Sequence, residues 1–281
     1  MRHPRPPRHI RKRQAALAAA ARVIPAVKAK QLFDVFLVLD IEGTCNRGSD
    51  FDFPNEIIEF PVCLMAWQDK DVDMRASQLE VVDEFRSFVR PTWRPTLSDF
   101  CVELTGISQE QVDSAPTFPE VVEQFESFLT SNGLIDENGE RLVRFCWCTD
   151  GPFDIRDFIV KQCFISMIPI PHWLKGNVCD VRTLVLQSIN RDIKAGKRLS
   201  KAYFQSTNRR LLNISTQLEE LGLPMFEGRQ HSGIDDTRNI TRILAELGRR
   251  GVPILPNTTV EQNKRWPWMG KRGQVLEEYV K

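Results

Sequence analysis

The 281-residue sequence has no long apolar run and no cysteine pairs spaced as in zinc fingers. No apolar stretch approaches the roughly 18–20 residues that a membrane-spanning helix requires, so we expect a soluble protein with no membrane partner. The seven cysteines are odd in number, and several lie within apolar stretches such as RFCWC. We therefore predict reduced, buried thiols, with neither a disulfide nor a zinc site.

Acidic residues are missing from the first 33 positions, which carry nine of the 38 lysines and arginines. The rest of the chain then holds 29 basic and 37 acidic residues, so a basic arm precedes an acidic body. Residues 1–32 are predicted to be a largely disordered arm, which is a solubilising tail, a contact for a polyanion or an address signal. We expect a cytoplasmic or nuclear location, or a mitochondrial one, because Arg-rich, acid-free starts are typical of mitochondrial presequences.

Residues 33–256 have the pattern of one α/β domain, and a polar tail follows at 257–281. Short apolar or partly alternating runs predict strands, and longer runs with helical spacing predict helices later in the chain. The predicted strands are 35–40, 56–67, 79–89 and 142–148. The predicted helices are 118–129, 153–167, 181–193, 214–223 and 235–250. This order indicates an α/β sheet with flanking helices.

Two carboxylates stand at the end of the first predicted strand. Asp40 closes the apolar run VFLVLD, and Glu42 follows two residues later. Because side chains alternate along a strand, both are expected on one face. Carboxylate oxygens suit hard divalent cations such as Mg²⁺ or Mn²⁺. Acids just past a strand are also common at solvated loop edges, and taken alone the pair fits that simpler interpretation better.

Two other aspartates stand at predicted helix starts. Asp154 follows a strand in TDGPFD, and Asp236 follows His231 in HSGIDD with the spacing H-x₄-D. The helix dipole favours an aspartate in a first turn, which explains both positions without a function. His231 is harder to explain in this way, since polar residues and glycine surround it. Asp150 fits ordinary turn chemistry.

Together these positions resemble the DEDD exonucleases that carry a catalytic histidine, in which the same residues occur in the same order. Residues 35–250 are similar to the Eri-type 3′→5′ exoribonucleases, the family that includes the 3′ histone mRNA exonuclease. The similar strings are EIIEFPVCL (56–64), RPTWRPTLSDFCVELTGISQEQVD (90–113), TFPEV (117–121), TDGPFD (149–154) and GRQHSGIDDTRNITRI (228–243). The resemblance implies a ribonuclease H-like fold with a central mixed β-sheet, and hydrolysis that releases 5′-mononucleotides from RNA 3′ ends.

The resemblance also implies a two-metal site. Asp40, Glu42, Asp154 and Asp236 would hold two Mg²⁺ ions, for which Mn²⁺ can substitute, and Asp40 would bridge them. Four carboxylates match the charge of two divalent ions, which clamp the attacking and leaving oxygens of a phosphodiester. His231 would be the general base, because the ordinary histidine pKa of about 6.5 lies near operating pH. His231 and Glu42 are thus the expected catalytic residues.

Substrate contacts are implied at a few further positions. Phe100 and Phe153 would stack on bases, although relatives often carry Trp at the second position and both rings also fit a core role. Leu104 would complete the apolar slot. Gly43 and Thr44 would approach the 3′ nucleotide, and His231 would contact it as well.

The expected partner is an RNA 3′ end, single- or double-stranded, from small RNA, structured RNA or ribosomal RNA. The basic stretch 194–210 would follow the phosphate backbone, or would be an ordinary solvated face. Protein partners from RNA silencing or the ribosome would fit such substrates. Two alternatives stay open, which are a DNA-preferring 3′ exonuclease of the same fold and an inactive nucleic-acid-binding scaffold.

Overall fold

The computed structural model describes residues 25–48, 52–194, 196, 212–261 and 263–280. The basic stretch 194–210 lies outside the described residues, apart from Lys194 and Gly196. Residues 1–24 of the predicted arm lie outside them as well.

A mixed sheet forms the centre of the domain, as predicted. Its strands, with a separate two-stranded pair, are β1 (Ala29–Lys30), β2 (Val35–Leu39), β3 (Glu42–Gly43), β4 (Ile57–Trp67), β5 (Arg75–Ala76), β6 (Leu79–Phe88), β7 (Phe145–Thr149) and β8 (Cys179–Asp180). Strand β2 lies between antiparallel β4 and parallel β7, and β8 continues the parallel side. Strand β6 pairs with β4, and β1 pairs with β5 outside this sheet.

Strand β2 is buried on both faces, which explains its unbroken apolar sequence. Phe36 and Val38 join the core on one side of the sheet, and Leu37 and Leu39 join the core on the other. All four side chains are fully buried. The strand therefore runs through the middle of the domain and delivers Asp40 to the point where the sheet meets solvent.

The helices cover both faces of the sheet. They are α1 (Asp99–Thr105), α2 (Gln109–Asp113), α3 (Phe118–Ser131), α4 (Val160–Ile165), α5 (Val181–Lys194), α6 (Ile214–Glu220) and α7 (Gly233–Arg249). A π-helical turn, Asp154–Ile159, runs directly into α4. Helix α7 packs on β2, β4 and β6, and no described helix is long and apolar enough to cross a membrane.

Both ends of the described chain pack against the domain. Gln31, within the range predicted as an arm, is fully buried, and its side chain bonds to the backbone of Val252 and Ile254. In the polar tail, Trp266 and Trp268 are 4% and 2% exposed, and their rings stack 6.1 Å apart. The packed structure therefore begins before residue 33 and continues beyond residue 256.

Candidate active site

Three of the four predicted metal-binding carboxylates meet at the end of β2. Oxygens of Asp40, Glu42 and Asp236 all lie within 4.8 Å of one another, close enough to share a cation. The first two flank the junction of β2 and β3, and the third stands in the first turn of α7. The same-face arrangement predicted for Asp40 and Glu42 is thus present, although β2 itself ends at Leu39.

Close backbone packing places the first turn of α7 beside the strand end. A Cβ atom on Gly233 would lie 2.7 Å from the backbone oxygen of Asp40, so a side chain there would push the helix away. The Gly233 N–H donates to the carboxylate of Glu59 on β4, at 3.0 Å. Glu59 is fully buried and also accepts a bond from Arg86 at 2.7 Å. These contacts fix the position of Asp236 relative to Asp40.

Asp154 approaches the same point from the other side of β2. It follows β7, which runs parallel to β2, so both strand ends meet at one edge of the sheet. Its Oδ1 accepts the Ile41 N–H at 2.9 Å, which places its carboxylate beside the chain that joins Asp40 to Glu42. Asp154 is only 7% exposed. It lies outside the three-carboxylate group but next to it.

The site concentrates negative charge in a region with little water. Desolvation and repulsion by Asp154 raise the pKa of Asp40 well above its ordinary value. Desolvation and repulsion by Asp236 do the same to Glu42. Desolvation raises the pKa of both Asp154 and Asp236 to about 7. Such a group is costly to ionise unless a cation joins it, which is the behaviour of a metal site.

These pKa values predict that the metal-free protein loses stability as pH rises. A carboxyl group with a pKa of about 7 when folded and near 3.8 when unfolded stabilises the fold below the lower value, and that contribution is lost as pH rises through the higher one. With chelator present, Tm should therefore fall as the pH is raised from about 5.5 to about 8, because these carboxylates ionise. Mg²⁺ should raise Tm more at about pH 8 than at about pH 5.5. An equal rise in Tm at both pH values would contradict the assignment of these carboxylates as metal ligands.

Histidine 231 stands on the loop before α7, with its side chain exposed. Its backbone is in the left-handed region, at φ 60°. The ring is nevertheless partly desolvated, and this desolvation together with the nearby Arg229 lowers the pKa of the imidazole, which favours its neutral form. Arg229 also bonds to the backbone oxygens of His231 and Glu103, at 3.3 and 2.8 Å, and so ties this loop to α1.

The residues predicted to form an apolar slot for a nucleobase lie on α1, a helix that was not predicted from the sequence. Phe100 and Leu104 stand one turn apart on it, and both are partly exposed. The guanidinium of Arg47 lies 5.0 Å from the centre of the Phe100 ring. Ser98 caps the helix by accepting the Cys101 N–H. A serine cap before an apolar stretch was the signal that could have revealed α1.

Gly43 ends β3 and Thr44 follows it; together they form the loop of Gly43 and Thr44, which meets α1 where Cys101 Sγ lies 3.7 Å from the Gly43 backbone oxygen. A Cβ atom on Gly43 would lie 2.7 Å from the ring of Phe158, so the glycine makes room for this packed side chain. The Thr44 N–H donates to the Glu56 oxygen at 2.7 Å, and its Oγ1 accepts the Glu56 N–H at 2.9 Å. The loop is therefore held to the start of β4.

The second predicted stacking ring, Phe153, is partly exposed at the start of the π-helical turn, with Arg156 4.9 Å above its centre. Beside it lies an ion pair that sequence reasoning missed. Asp150 accepts bonds from Arg182 at 2.7 Å and from Gln217 at 2.7 Å. Asp150 lies on a bend before Gly151, as predicted, but its side chain is only 7% exposed and is paired, and its charge raises the pKa of Asp40 and Asp154.

A family model comparison matches residues 37–244 to the RNase T exonuclease family. The chain is similar to the 3′-5′ exonuclease eri1 of Schizosaccharomyces pombe, at 35% identity over 254 residues, which cover 85% of this chain and 74% of the relative. It is also similar to 3′-5′ exoribonuclease 1 of Rattus norvegicus, at 33% identity over 225 residues, which cover 80% of this chain and 56% of the relative. The chain therefore spans little more than half of the rat relative.

Two solved structures share the fold. One is the nuclease domain of 3′hExo, described as a DEDDh family member bound to rAMP, with 31% identity and a TM-score of 0.65 over 83% of this chain and 100% of that chain. The other is a 3′-exonuclease described in 3′-end specific recognition of a histone mRNA stem-loop, with 27% identity and a TM-score of 0.66 over 92% of this chain and 79% of that chain. These likenesses confirm the predicted fold and the predicted resemblance.

Proposed function

We propose that this chain, which belongs to the RNase T exonuclease family, shortens RNA from its 3′ end by metal-dependent hydrolysis and releases 5′-mononucleotides. The observation that carries the proposal is the group of Asp40, Glu42 and Asp236, whose carboxylate oxygens lie within 4.8 Å of one another. The relatives of this chain are named as a 3′-5′ exonuclease and a 3′-5′ exoribonuclease, and such a group fits cation-assisted cleavage of a phosphodiester.

The carboxylate set fits divalent cations, and we propose Mg²⁺ as the physiological ion with Mn²⁺ as a substitute. Carboxylate oxygens are the ligands that these hard ions prefer. Asp40, Glu42 and Asp236 would hold them together with Asp154, and Glu42 would act in catalysis through this ligation. When bound, two such ions stabilise the attacking and leaving oxygens and neutralise the phosphate. The shared charge of four carboxylates would keep them in place.

His231 is proposed as the general base. Its side chain is exposed to solvent, from which an attacking water would come, and its backbone N–H donates to the carboxylate of Asp236. The lowered pKa keeps the ring unprotonated, so that a ring nitrogen is free to accept a proton from that water. The hydrogen bond from Arg229 to the backbone oxygen of Glu103 links the loop that carries His231 to α1, the helix of the proposed nucleobase slot.

The terminal nucleotide would lie between α1 and the loop of Gly43 and Thr44. Partly exposed Phe100 and Leu104 offer an apolar surface for its base, and Phe153 offers a second ring. Stacking holds any base at about 1–3 kcal/mol, which suits an enzyme that removes nucleotides one after another. Backbone groups at Gly43 and Thr44 would contact the sugar hydroxyls, which favours RNA over DNA.

A degradation assay tests the proposal directly. A 5′-labelled RNA oligomer should shorten stepwise with Mg²⁺ or Mn²⁺, release 5′-mononucleotides and stay intact with chelator. An RNA that stays intact with either ion would contradict the proposal. Faster loss of the matched DNA oligomer would instead support a DNA exonuclease of the same fold, and binding without cleavage would support a scaffold.

A further inference from the structure

We propose that Lys161 and Asn55 are positioning residues that hold the loop of Gly43 and Thr44 in its substrate-binding shape, and that the C-terminal segment 263–280 keeps Lys161 in place. This inference rests on the proposed function, because it assigns a role in binding the RNA 3′ end. The contacts that carry this role lead to the loop and not to the carboxylate group, so the expected effect is on substrate affinity rather than on the chemical step.

Asn55 connects directly to the loop. Its Nδ2 donates to the backbone oxygen of Thr44 at 2.6 Å, and the side chain is only 6% exposed. Thr44 also forms two hydrogen bonds with the backbone of Glu56, the residue that follows Asn55. Two adjacent residues before β4, Asn55 and Glu56, therefore hold Thr44. The position of this segment determines the orientation of the Thr44 backbone.

Lys161 in turn holds the segment before β4 in place through hydrogen bonds. Its ammonium donates to the backbone oxygen of Phe53 at 2.8 Å and to Oδ1 of Asn55 at 3.2 Å. The bond to Oδ1 orients the Asn55 amide, so that its nitrogen faces Thr44. The neighbouring Gln162 adds a further tie, since its Oε1 accepts the Ile57 N–H at 2.6 Å.

Lys161 is fully buried, so the groups around its ammonium must take the place of water. Burying an ammonium group is costly unless polar and aromatic groups replace its water. Two rings take part in this, because the ammonium lies 5.7 Å from the centre of Phe158 and 5.1 Å from that of Trp266. Phe158 also packs against Gly43, so one cluster supports both loop residues.

Trp266 belongs to the C-terminal segment 263–280, which covers this cluster. Its Nε1 donates to the carboxylate of Asp52 at 3.1 Å, and Nε1 of Trp268 donates to the backbone oxygen of Asp52. Further along, Glu277 accepts bonds from Trp93 at 3.0 Å and Arg94 at 2.6 Å. The C-terminal segment thus covers Asp52, which shortly precedes Asn55, and also contacts the loop of Trp93 and Arg94.

Trp266 lies beyond the residues that the family model matches. The family model ends at residue 244, whereas Trp266 and its neighbours follow it. A loop that family resemblance assigns to substrate is therefore held, in this chain, by a segment beyond the matched domain. The chain of contacts runs from Trp266 through Lys161 and Asn55 to Thr44.

The test replaces Lys161 with methionine, which keeps the length of the side chain and removes its donor. Steady-state kinetics on a short RNA should show KM raised about tenfold with kcat within about twofold of wild type. Lys70→Met is the matched control. Lys70 also donates to a backbone oxygen, that of Phe33 at 2.9 Å, but at the opposite end of β2. Its KM should equal that of wild type.

Asn55→Ala is the second variant, and it decides the matter if Lys161→Met does not fold. A raised KM with nearly unchanged kcat supports the inference, and a KM equal to wild type in a folded variant overturns it. Equal losses of kcat and kcat/KM would also overturn it, since they indicate a disturbed catalytic centre. A wild-type protein that does not degrade RNA would instead contradict the proposed function.

Discussion

Replacing Asp40 with asparagine should lower kcat about 10⁴-fold or more, the largest effect of any single substitution in the site. Asp40 stands at the centre of the carboxylate group, within 4.8 Å of both Glu42 and Asp236. A bound ion contributes several kcal/mol of charge stabilisation in the transition state, and each 1.36 kcal/mol corresponds to tenfold in rate. Asparagine keeps the shape and one oxygen but removes the charge that holds the cation.

The same substitution should stabilise the metal-free protein. Desolvation and neighbouring carboxylates raise the pKa of Asp40, so its ionised form is unfavourable in the fold. Removing one of several neighbouring like charges relieves that repulsion. Thermal unfolding in chelator at about pH 8 should therefore give a higher Tm for Asp40→Asn than for wild type, by about 2–4 °C for each kcal/mol gained.

Asp73→Asn provides the matched control, because Asp73 is exposed on a turn before β5. It should leave both kcat and Tm unchanged. Mn²⁺ titration gives a readout without turnover, and Asp40→Asn should bind the ion much more weakly than either wild type or the control. A variant that keeps more than about a tenth of the wild-type rate would contradict the role assigned to Asp40.

Replacing His231 should lower kcat about 10²–10⁴-fold, the range expected for loss of a positioned general base. Asparagine is the better replacement, because φ at this position is 60° and asparagine tolerates the left-handed region. Alanine would add backbone strain to the chemical loss. His172→Ala is the control, since His172 lies on a separate 3-10 turn.

The pH profile separates a base from a merely structural histidine. In wild type, the rate should fall as pH drops through the His231 pKa, which burial and Arg229 lower from the ordinary value of 6.5. His231→Asn should lack this acid limb. The measurement needs saturating metal, because protonation of the carboxylates would otherwise weaken metal binding in the same direction. An acid limb that persists unchanged in the variant would refute the assignment.

Local patterns were enough to predict the parts of the site that are close in sequence. The apolar run before Asp40 predicted β2, and the period of a strand predicted that Glu42 would share its face. The approach of Asp236 could not be read from the sequence, because it depends on Gly233 packing against the Asp40 backbone. The burial of Asp150 was missed for the same reason, since Arg182 and Gln217 reach it from distant helices.

The C-terminal segment shows how local composition misleads. Its composition predicted only a polar tail, yet Trp266 and Trp268 are buried against Asp52, more than two hundred positions earlier in the chain. Two tryptophans among lysines and arginines were the signal for burial, but nothing near them in sequence identified the surface they would cover. Long-range contacts of this kind are set by the complete fold.

The carboxylate group joins the first strand of the central sheet to the last long helix, residues 40 and 236. During synthesis, a chain that has extended past β7 already has Asp40, Glu42 and Asp154 but lacks the first turn of α7. Domains fold as units, and α7 can dock on β4 only after its residues have left the ribosome. A nascent chain of that length therefore cannot yet form the group of Asp40, Glu42 and Asp236, so the proposed metal site is complete only after α7 has docked.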